Sequence, residues 1–411
     1  MKNQTITVID ETIREGMQHR GIVFSREQRE AILDFQEELG VDVCQAGYAS
    51  AHITEMDNIK HLNHTVLQKG YKIRVAGMGR ASIQDVDSLI NTGIWDFHLH
   101  ADLKCRTKQD NNREWNRDRE SESDSYIEKS FHKIGEAVDE IRKHFDYSTF
   151  TSTSNPRISI AVLDIGTSSS ELLQLVSSFL INDLGIDILS LPDTSGIMSP
   201  DTFYDAVKEI ALSTQKLSDF KKNQILKPVS QISVHCHNDL GMASANTLMG
   251  VFAGATVVEL SALGIGERNG IGDIFTVCKI LKDKGYNIRL KTDDIKLFSK
   301  YYQYVSNVCK AQTGEPLLNY NSPFFGDSVR THVAGTHAGS GFGLFPQKEE
   351  YLLNVLCGRH LVKSYLESEE IPCLPEHINS ITEDIKSKSA ALGRRIEKEE
   401  VMGIVAKHNN A

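Results

Sequence analysis

Strand-like and helix-like segments alternate along the first 285 of the 411 residues of this chain. Residues 25–39 and 53–69 have the apolar spacing of helices, and Gly40 and Gly70 follow them at the position of a helix C-cap. Short apolar runs of strand character lie between such helices, as in the βα units of a parallel sheet. Eight such runs predict an α/β protein built on a closed (β/α)8 TIM barrel rather than an open sheet. They span residues 5–12, 41–48, 72–77, 95–101, 157–163, 186–191, 231–237 and 256–262.

The alternation stops after residue 285, and the rest of the chain has mainly helical periodicity. Helices are predicted at residues 293–311, 348–366 and 374–389, joined by turns rich in glycine and proline. We therefore predict two domains, a catalytic barrel over residues 1–285 and a helical C-terminal domain over residues 286–411. The strongly charged residues 104–125 interrupt the barrel pattern and are predicted to form either a solvated excursion or a mobile flap at the barrel's mouth.

Composition excludes several kinds of partner. The formal net charge of −10 disfavours a nucleic acid or an anionic membrane. No apolar run approaches the roughly 20 residues that a membrane helix needs. The seven cysteines contain no CxxC pair, which is typical of a reducing compartment, and the first residues lack a signal-peptide pattern. We expect a cytoplasmic protein with neither a nucleic-acid nor a membrane partner.

Two histidines lie two residues apart at the end of the seventh predicted strand. His235 and His237 should project from the same side of that strand, while Cys236 points the other way. Two imidazoles on one face can share one metal ion, and Asn238 and Asp239 follow at positions from which they can orient the rings. The alternative is a pair of hydrogen-bonded core histidines, and a third ligand from elsewhere in the chain would decide for metal.

In a TIM barrel, polar residues that directly follow the strands face the catalytic end. Residues 10–18, DETIREGMQ, place Arg14 and acidic side chains after the first strand, where a carboxylate can complete a metal site and a guanidinium can hold a substrate oxygen. The alternative for Arg14 and Glu15 is a surface ion pair. Thr194 follows the sixth strand, and a glycine-rich turn at residues 264–270 follows the eighth, although such a turn alone is weak evidence for phosphate binding.

Taken together, these segments resemble the family of isopropylmalate and homocitrate synthases. The matching motifs are DETIREGMQ, PDTSG, HCHNDLGMASAN and GIGERNGI in the barrel, followed by HVAGTH from His332 and CGRHL from Cys357. Members of that family are metal-dependent TIM-barrel enzymes that join acetyl-CoA to a 2-oxo acid. The resemblance spans nearly the whole chain, and we expect no counterpart of the large C-terminal regulatory domain that many isopropylmalate synthases carry.

Carried over residue by residue, the resemblance implies a complete active site. Glu15, His235 and His237 would hold one divalent ion, which can be zinc, manganese or magnesium, while Arg14 and His332 would be catalytic. His332 would draw a proton from the acetyl-CoA methyl group, and Arg14 would steady the developing alkoxide. Gln18 and Thr194 would bind the 2-oxo acid. We further predict Glu267, Arg268 and Asn269 as cofactor-binding residues, with acetyl-CoA as the co-substrate.

Two strands depart from the family pattern. The fifth strand has Asp164 in common with the family's F-S-x-E-D-x-x-R, but Leu163 replaces its acid and Thr167 replaces its arginine. Homocitrate synthases are expected to use that arginine on a dicarboxylic substrate, so we expect the substrate to differ from 2-oxoglutarate. We predict His98 and His100 on the fourth strand, together with Asp164, as substrate-binding residues, and Lys104 and Arg106 as further candidates. Core packing is the alternative role for the two histidines.

Three functions remain in competition. The first is an acyl-CoA:2-oxo acid acyltransferase, the second is a metal-dependent lyase or aldolase on the same barrel, and the third is a diverged, non-catalytic binding protein. A hydroxymethylglutaryl-CoA-lyase-like chain is expected to carry a cysteine in the glycine-rich turn after the eighth strand, and residues 264–270 contain none. The missing acid at Leu163 favours the third function, whereas the intact ligand set of Glu15, His235 and His237 argues against a non-catalytic protein. The helical tail with His332 favours condensation. The identity of the 2-oxo acid stays open.

The segment around His332 predicts a homodimer. Residues 322–345 are rich in glycine and aromatic residues, and such a segment needs a surface to cover it. A two-fold dimer offers two equivalent barrel mouths, so we expect the helical domain to reach the partner subunit and complete its active site. The alternative is that this segment folds back on its own barrel.

Overall fold

In a computed structural model, eight parallel strands close into a barrel in which every strand pairs with its sequence neighbours and the eighth pairs with the first. The predicted TIM barrel is therefore confirmed. The structure describes residues 4–101, 103, 118–145, 156–221, 230–332 and 350–409. The barrel strands are β1 Thr7–Asp10, β2 Val43–Tyr48, β3 Arg74–Arg80, β4 Asp96–Ala101, β5 Arg157–Val162, β6 Ile188–Asp193, β7 Gln231–Cys236 and β8 Val257–Leu260.

Helices follow the strands, and their ends have local causes. The second helix is capped by Ser25, whose side chain accepts from the backbone N–H of Gln28, and it ends at Gly40 in the left-handed conformation. No helix among the residues described here is long and apolar enough to cross a membrane. The α-helices up to residue 313 are α1 Thr12–Gly16, α2 Arg26–Leu39, α3 Ile53–Lys69, α4 Ile83–Ile90, α5 Asp118–His144, α6 Ser170–Ser178, α7 Pro200–Lys221, α8 Ala243–Ala253, α9 Ile274–Asp283 and α10 Ile295–Thr313.

Two layers of side chains fill the barrel and position the site. The lower layer is apolar and contains Ile9, Val43, Ala76, Ile188 and Val257. Because side chains two residues apart share one side of a strand, the next inward positions lie closer to the catalytic end. Four of those five positions are polar and buried, namely Glu11, Gln45, Ser190 and Glu259. The barrel thus carries a buried polar layer directly beneath its mouth.

The chain divides into two compact units, Met1–Leu317 and Leu318–Ala411. Helix α10 belongs to the first unit, whereas the predicted second domain began at residue 286. Two adjacent tyrosines of α10 explain this placement, because Tyr301 donates a hydrogen bond to Asp10 and Tyr302 donates one to Asp273. Both carboxylates are buried in the first unit, so α10 packs as part of it.

The second unit is mainly helical. Its core joins α11 Arg359–Ser368, α12 Ile378–Leu392 and α13 Lys398–Asn409 through buried side chains such as Leu361, Ile381 and Val401. The prediction of one helix over residues 348–366 is wrong in its first half, because Glu350–Tyr351 (β10) pairs in parallel with Thr331–His332 (β9). Two such short strands give little periodic signal in a sequence.

The charged stretch at residues 104–125 was predicted as an excursion or a flap. Its last part differs from that prediction, because α5 begins at Asp118. Residues 104–117, which include Lys104 and Arg106, lie outside the described residues.

Candidate active site

Glu15, His235 and His237 come together at the catalytic end of the barrel. One ligand atom from each lies within 4.8 Å of the others, and all three side chains are buried. Nε2 of His235 is 3.2 Å from Nε2 of His237. One carboxylate oxygen and two imidazole nitrogens form a donor set that fits a zinc, manganese or iron ion. Nδ1 of His237 is buried without a hydrogen-bond partner among the described residues.

The remaining nitrogen of His235 faces two buried carboxylates. Nδ1 lies 3.0 Å from an oxygen of Glu11 and 3.4 Å from an oxygen of Glu259. Glu259 is held in turn by Ser190 and Ser233, whose hydroxyls donate to its Oε1 at 2.8 and 2.6 Å. A histidine whose second nitrogen meets a carboxylate is the usual arrangement of a metal ligand, because the carboxylate fixes the orientation of the ring.

Burial and nearby charges shift the pKa values of His235 and His237 in opposite directions. Burial lowers the pKa of His235, but Glu11 and then Glu259 outweigh it and raise the pKa to about 9. Burial and the positive charges of His235 and Arg268 lower the pKa of His237 to about 2. Burial raises the pKa of Glu259, yet His235 outweighs it and holds that pKa at about 2. The two neighbouring imidazoles therefore differ in how readily each takes up a proton.

Arg14 lies beside this cluster with most of its donors engaged. Nη2 donates to Glu11 at 2.8 Å, Nη1 contacts Glu15 and also donates to Gln18 at 3.1 Å, and Nε donates to Gln45. A guanidinium has five N–H donors. These four contacts leave one N–H of Nη2 without a partner in the described part of the chain. Arg14 can therefore offer a donor to a substrate oxygen while it stays anchored.

Gln45 and His98 extend the polar layer across the barrel. Nε2 of Gln45 is 2.8 Å from Nδ1 of His98, and both side chains are buried. Burial lowers the pKa of His98. His100 lies nearer the mouth, with Nε2 3.1 Å from the hydroxyl of Tyr48, which also donates to Asp85 at 3.2 Å. His98 and His100 thus face the inside of the barrel in separate contacts.

The loops after β5, β6 and β7 are tied together. Asp164 has a left-handed backbone with φ 59, and its carboxylate accepts from the hydroxyls of Thr167 and Ser195 at 2.9 and 2.8 Å. The hydroxyl oxygen of Thr194 accepts from the backbone N–H of Asp164 at 3.0 Å. Arg268 donates to Asp239 at 2.9 and 3.0 Å. Asp164 and Arg268 therefore organise the mouth of the barrel, and Asp164 has its carboxylate engaged by its own loops.

The other predicted site residues are placed as follows. Gln18 is exposed at the end of α1 and accepts from Arg14. Glu267 and Asn269 are exposed on the turn after β8, where the backbone N–H of Glu267 donates to Glu15 at 3.2 Å. His332 is part of β9, and its side chain lies outside the described residues.

The sequence predictions missed five polar residues of the buried layer and its surroundings. These are Glu11, Gln45, Ser190, Ser233 and Glu259, all of which are buried. Each lies at an inward position of a strand or of the segment that directly follows it, so a polar residue at an inward strand position was the available signal.

Comparison with known proteins adds a family assignment. The profile of the family described as HMGL-like matches residues 5–301. The chain is 29% identical over 414 residues to the 2-isopropylmalate synthase of Sulfurisphaera tokodaii, covering 96% of this chain and 94% of that protein. It is 28% identical over 423 residues to the 2-phosphonomethylmalate synthase of Streptomyces rubellomurinus, covering 99% of both. It is 29% identical over 333 residues to the homocitrate synthase of Pyrococcus abyssi, covering 80% of this chain and 78% of that protein.

Solved structures show the same fold. A crystal structure of HMG-CoA lyase from Bacillus subtilis has a TM-score of 0.56 and 17% sequence identity, and the match covers 79% of this chain and 98% of that one. At this level of identity the likeness concerns the barrel alone.

Proposed function

Because the chain belongs to the HMGL-like family, we propose that it is an acyltransferase that condenses acetyl-CoA with a 2-oxo acid to a 2-substituted malate-type product. The resemblance to isopropylmalate and homocitrate synthases is confirmed by relatives that carry those names, and the prediction of an enzyme is confirmed with it. In the proposed reaction, the acetyl methyl carbon loses a proton and bonds to the keto carbon. Water then cleaves the thioester and releases coenzyme A.

The observation that carries this proposal is the cluster of Glu15, His235 and His237, whose ligand atoms lie within 4.8 Å of one another. Its donors fit one divalent ion, and that ion would act as a Lewis acid on the keto group of the 2-oxo acid. The remaining N–H of Arg14 binds an oxygen of the substrate and stabilises the negative charge that develops on it. Glu11 and Glu259 hold His235 in orientation through Nδ1.

His332 is proposed to remove the proton from the acetyl methyl group, as the resemblance implies. Glu267, Arg268 and Asn269 remain predictions as cofactor-binding residues. The contacts of Arg268 support a binding role for this residue at the mouth of the barrel, because its guanidinium joins the loops after β6 and β7 through Thr194 and Asp239. The homodimer, the cytoplasmic location and the choice among zinc, manganese and magnesium also remain predictions.

The substrate is proposed to be a 2-oxo acid other than 2-oxoglutarate. The family's arginine is replaced by Thr167, whose hydroxyl donates to Asp164 at 2.9 Å. This position therefore offers no positive charge to a carboxylate of the substrate. The 2-phosphonomethylmalate synthase among the relatives supports a wider range of products in chains of this length. Gln18, His98, His100, Asp164 and Thr194 are the proposed substrate-binding residues.

A thiol-release assay tests the function. Acetyl-CoA is incubated with a panel of 2-oxo acids and Zn²⁺, Mn²⁺ or Mg²⁺, and free coenzyme A is measured together with the malate-type product. The His237→Ala variant is expected to lose metal binding and turnover while it keeps its fold, and His61→Ala, on the surface, is the control. If the His237→Ala variant keeps its turnover and its metal content, the assignment of Glu15, His235 and His237 as metal ligands is wrong. Cleavage of an acyl-CoA without any condensation in the panel favours the lyase.

A further inference from the structure

Gln45 joins Arg14 to His98 through the two ends of its amide. Nε of Arg14 donates to Oε1 of Gln45, and Nε2 of Gln45 is 2.8 Å from Nδ1 of His98. All three side chains are buried. The amide therefore bridges helix α1 and strand β4 inside the polar layer.

The donors and acceptors in the hydrogen bonds that join Arg14, Gln45 and His98 can be assigned in one way only. An arginine N–H can only donate, so the atom of Gln45 that faces Arg14 is the amide oxygen. The NH2 group of Gln45 then faces His98, and because it can only donate, Nδ1 of His98 must accept. A histidine that accepts at Nδ1 carries its proton on Nε2. Arg14 thus sets the tautomer of His98 through the orientation of one amide.

We propose that Gln45 is a positioning residue that holds His98 as the neutral ring protonated at Nε2, and that this N–H donates to an acceptor oxygen of the bound 2-oxo acid. The identity of the ligand rests on the proposed function, whereas the tautomer rests on the contacts of Gln45 alone.

The surroundings of His98 agree with a neutral ring. Burial lowers its pKa and outweighs the negative charges of Glu259, Asp96 and Glu11, which act in the opposite direction. Nε2 of His98 makes no hydrogen bond to any residue that the structure describes, while Nδ1 is engaged by Gln45. The ring therefore presents an N–H donor to the barrel interior and keeps no acceptor there.

This arrangement defines the chemistry of the ligand group that meets His98. An oxygen of a carboxylate, a keto group or a phosphonate can accept from Nε2, whereas an ammonium group would bring two donors together. Arg14 contributes a second donor from the same hydrogen-bonded chain. The two donors are thereby fixed relative to each other, which favours a substrate with acceptor oxygens on this side of the barrel.

The test uses Gln45→Glu, which changes one NH2 to an oxygen at nearly constant volume. The carboxylate keeps its contact with Arg14, but toward His98 it can only accept, so the proton must move to Nδ1. ¹⁵N NMR of the histidine ring nitrogens reports this change, with His98 assigned by the loss of its signals in His98→Asn. We expect Nδ1 to be unprotonated in the wild type and protonated in Gln45→Glu. A protonated Nδ1 in the wild type, or an unprotonated one in Gln45→Glu, overturns the proposal.

Kinetics supply a second measurement. Near pH 9, well above the ordinary imidazole pKa of about 6.5, Gln45→Glu is expected to raise KM for the best 2-oxo acid of the panel about tenfold, because one hydrogen bond to the substrate is lost. The value of kcat should change less, since the bond is present in the ground state and in the transition state alike. An unchanged KM overturns the contact between His98 and the substrate.

Gln231→Glu is the matched control. Gln231 also lies on a barrel strand and also accepts from an arginine, with Nη2 of Arg157 at 2.8 Å, but it lies at the opposite end of the barrel. The Gln231→Glu substitution should leave the NMR signals of His98 and the KM for the 2-oxo acid unchanged. If Gln45→Glu does not fold, Gln45→Met removes both hydrogen bonds, and we then expect the two ring nitrogens of His98 to show exchange between tautomers. A wild type that turns over no acid of the panel defeats the proposed function and the substrate contact, while the NMR result still decides the tautomer.

Discussion

The hydroxyl of Tyr301 in α10 donates to Oδ2 of Asp10 at 2.8 Å and lies 3.0 Å from Oγ1 of Thr12. Asp10 ends β1 and directly precedes the segment that carries Glu11, Arg14 and Glu15. Burial raises the pKa of the Asp10 carboxyl, and the hydrogen bonds from Thr12 and Tyr301 oppose that rise. Helix α10 therefore supports the start of helix α1, which supplies a predicted metal ligand.

Tyr301→Phe should destabilise the protein by about 1–3 kcal/mol, because a buried carboxyl oxygen loses its partner. The change is measured as the free energy of unfolding in urea. Tyr304→Phe is the control, since Tyr304 lies in the same helix and packs on Phe35 with its ring. Equal stability losses in the two variants would contradict a role for the Tyr301 hydroxyl.

Glu259→Gln should weaken metal binding about 10- to 100-fold, the usual effect of losing a carboxylate behind a histidine ligand. The side chain keeps its shape, but an amide has only one acceptor oxygen, so it cannot accept from Ser190 and Ser233 at one end and from His235 at the other. Calorimetric titration with Mn²⁺ measures the affinity, and circular dichroism checks the fold. Glu315→Gln, on the exposed turn after α10, should bind Mn²⁺ like the wild type. An unaltered affinity in Glu259→Gln would remove the assigned role.

Thr167→Arg should shift the ranking of 2-oxo acids toward 2-oxoglutarate. A guanidinium at this position can bind a distal carboxylate, and a charge-assisted hydrogen bond of about 1.5–3 kcal/mol corresponds to a gain of roughly tenfold or more in relative kcat/KM. Thr167→Gln, which brings length without charge, is the control. If 2-oxoglutarate is already the best substrate of the wild type, the inference from the missing arginine is wrong.

Mixing two inactive variants tests the predicted homodimer. Glu15→Ala and His332→Ala should each be inactive, and an equal mixture that exchanges subunits should recover up to about a quarter of the wild-type specific activity. Half of the dimers are then mixed, and each mixed dimer has one site with both residues intact. No recovery after demonstrated exchange, or a monomer at assay concentration, would favour a segment that folds back on its own barrel.

Much of the fold followed from local sequence signals. The eight strands lie within a few residues of their predicted positions, because strand periodicity and the glycine caps at Gly40 and Gly70 are properties of short segments. The clustering of the candidate ligands was predictable for a similar reason. The spacing of His235 and His237 on one strand places both rings on one side, and the motif around Glu15 places a carboxylate after the first strand.

Tertiary structure decided which polar side chains meet inside the barrel. Gln45 and Glu259 lie far apart in the chain, and each has an ordinary strand neighbourhood. Closing the barrel brings β8 beside β1, so that Glu259 and Glu11 both reach Nδ1 of His235, and it brings Gln45 within 2.8 Å of His98 two strands away. Strand periodicity fixes the side of the sheet on which a residue lies, but the partner it meets depends on the stagger and closure of all eight strands.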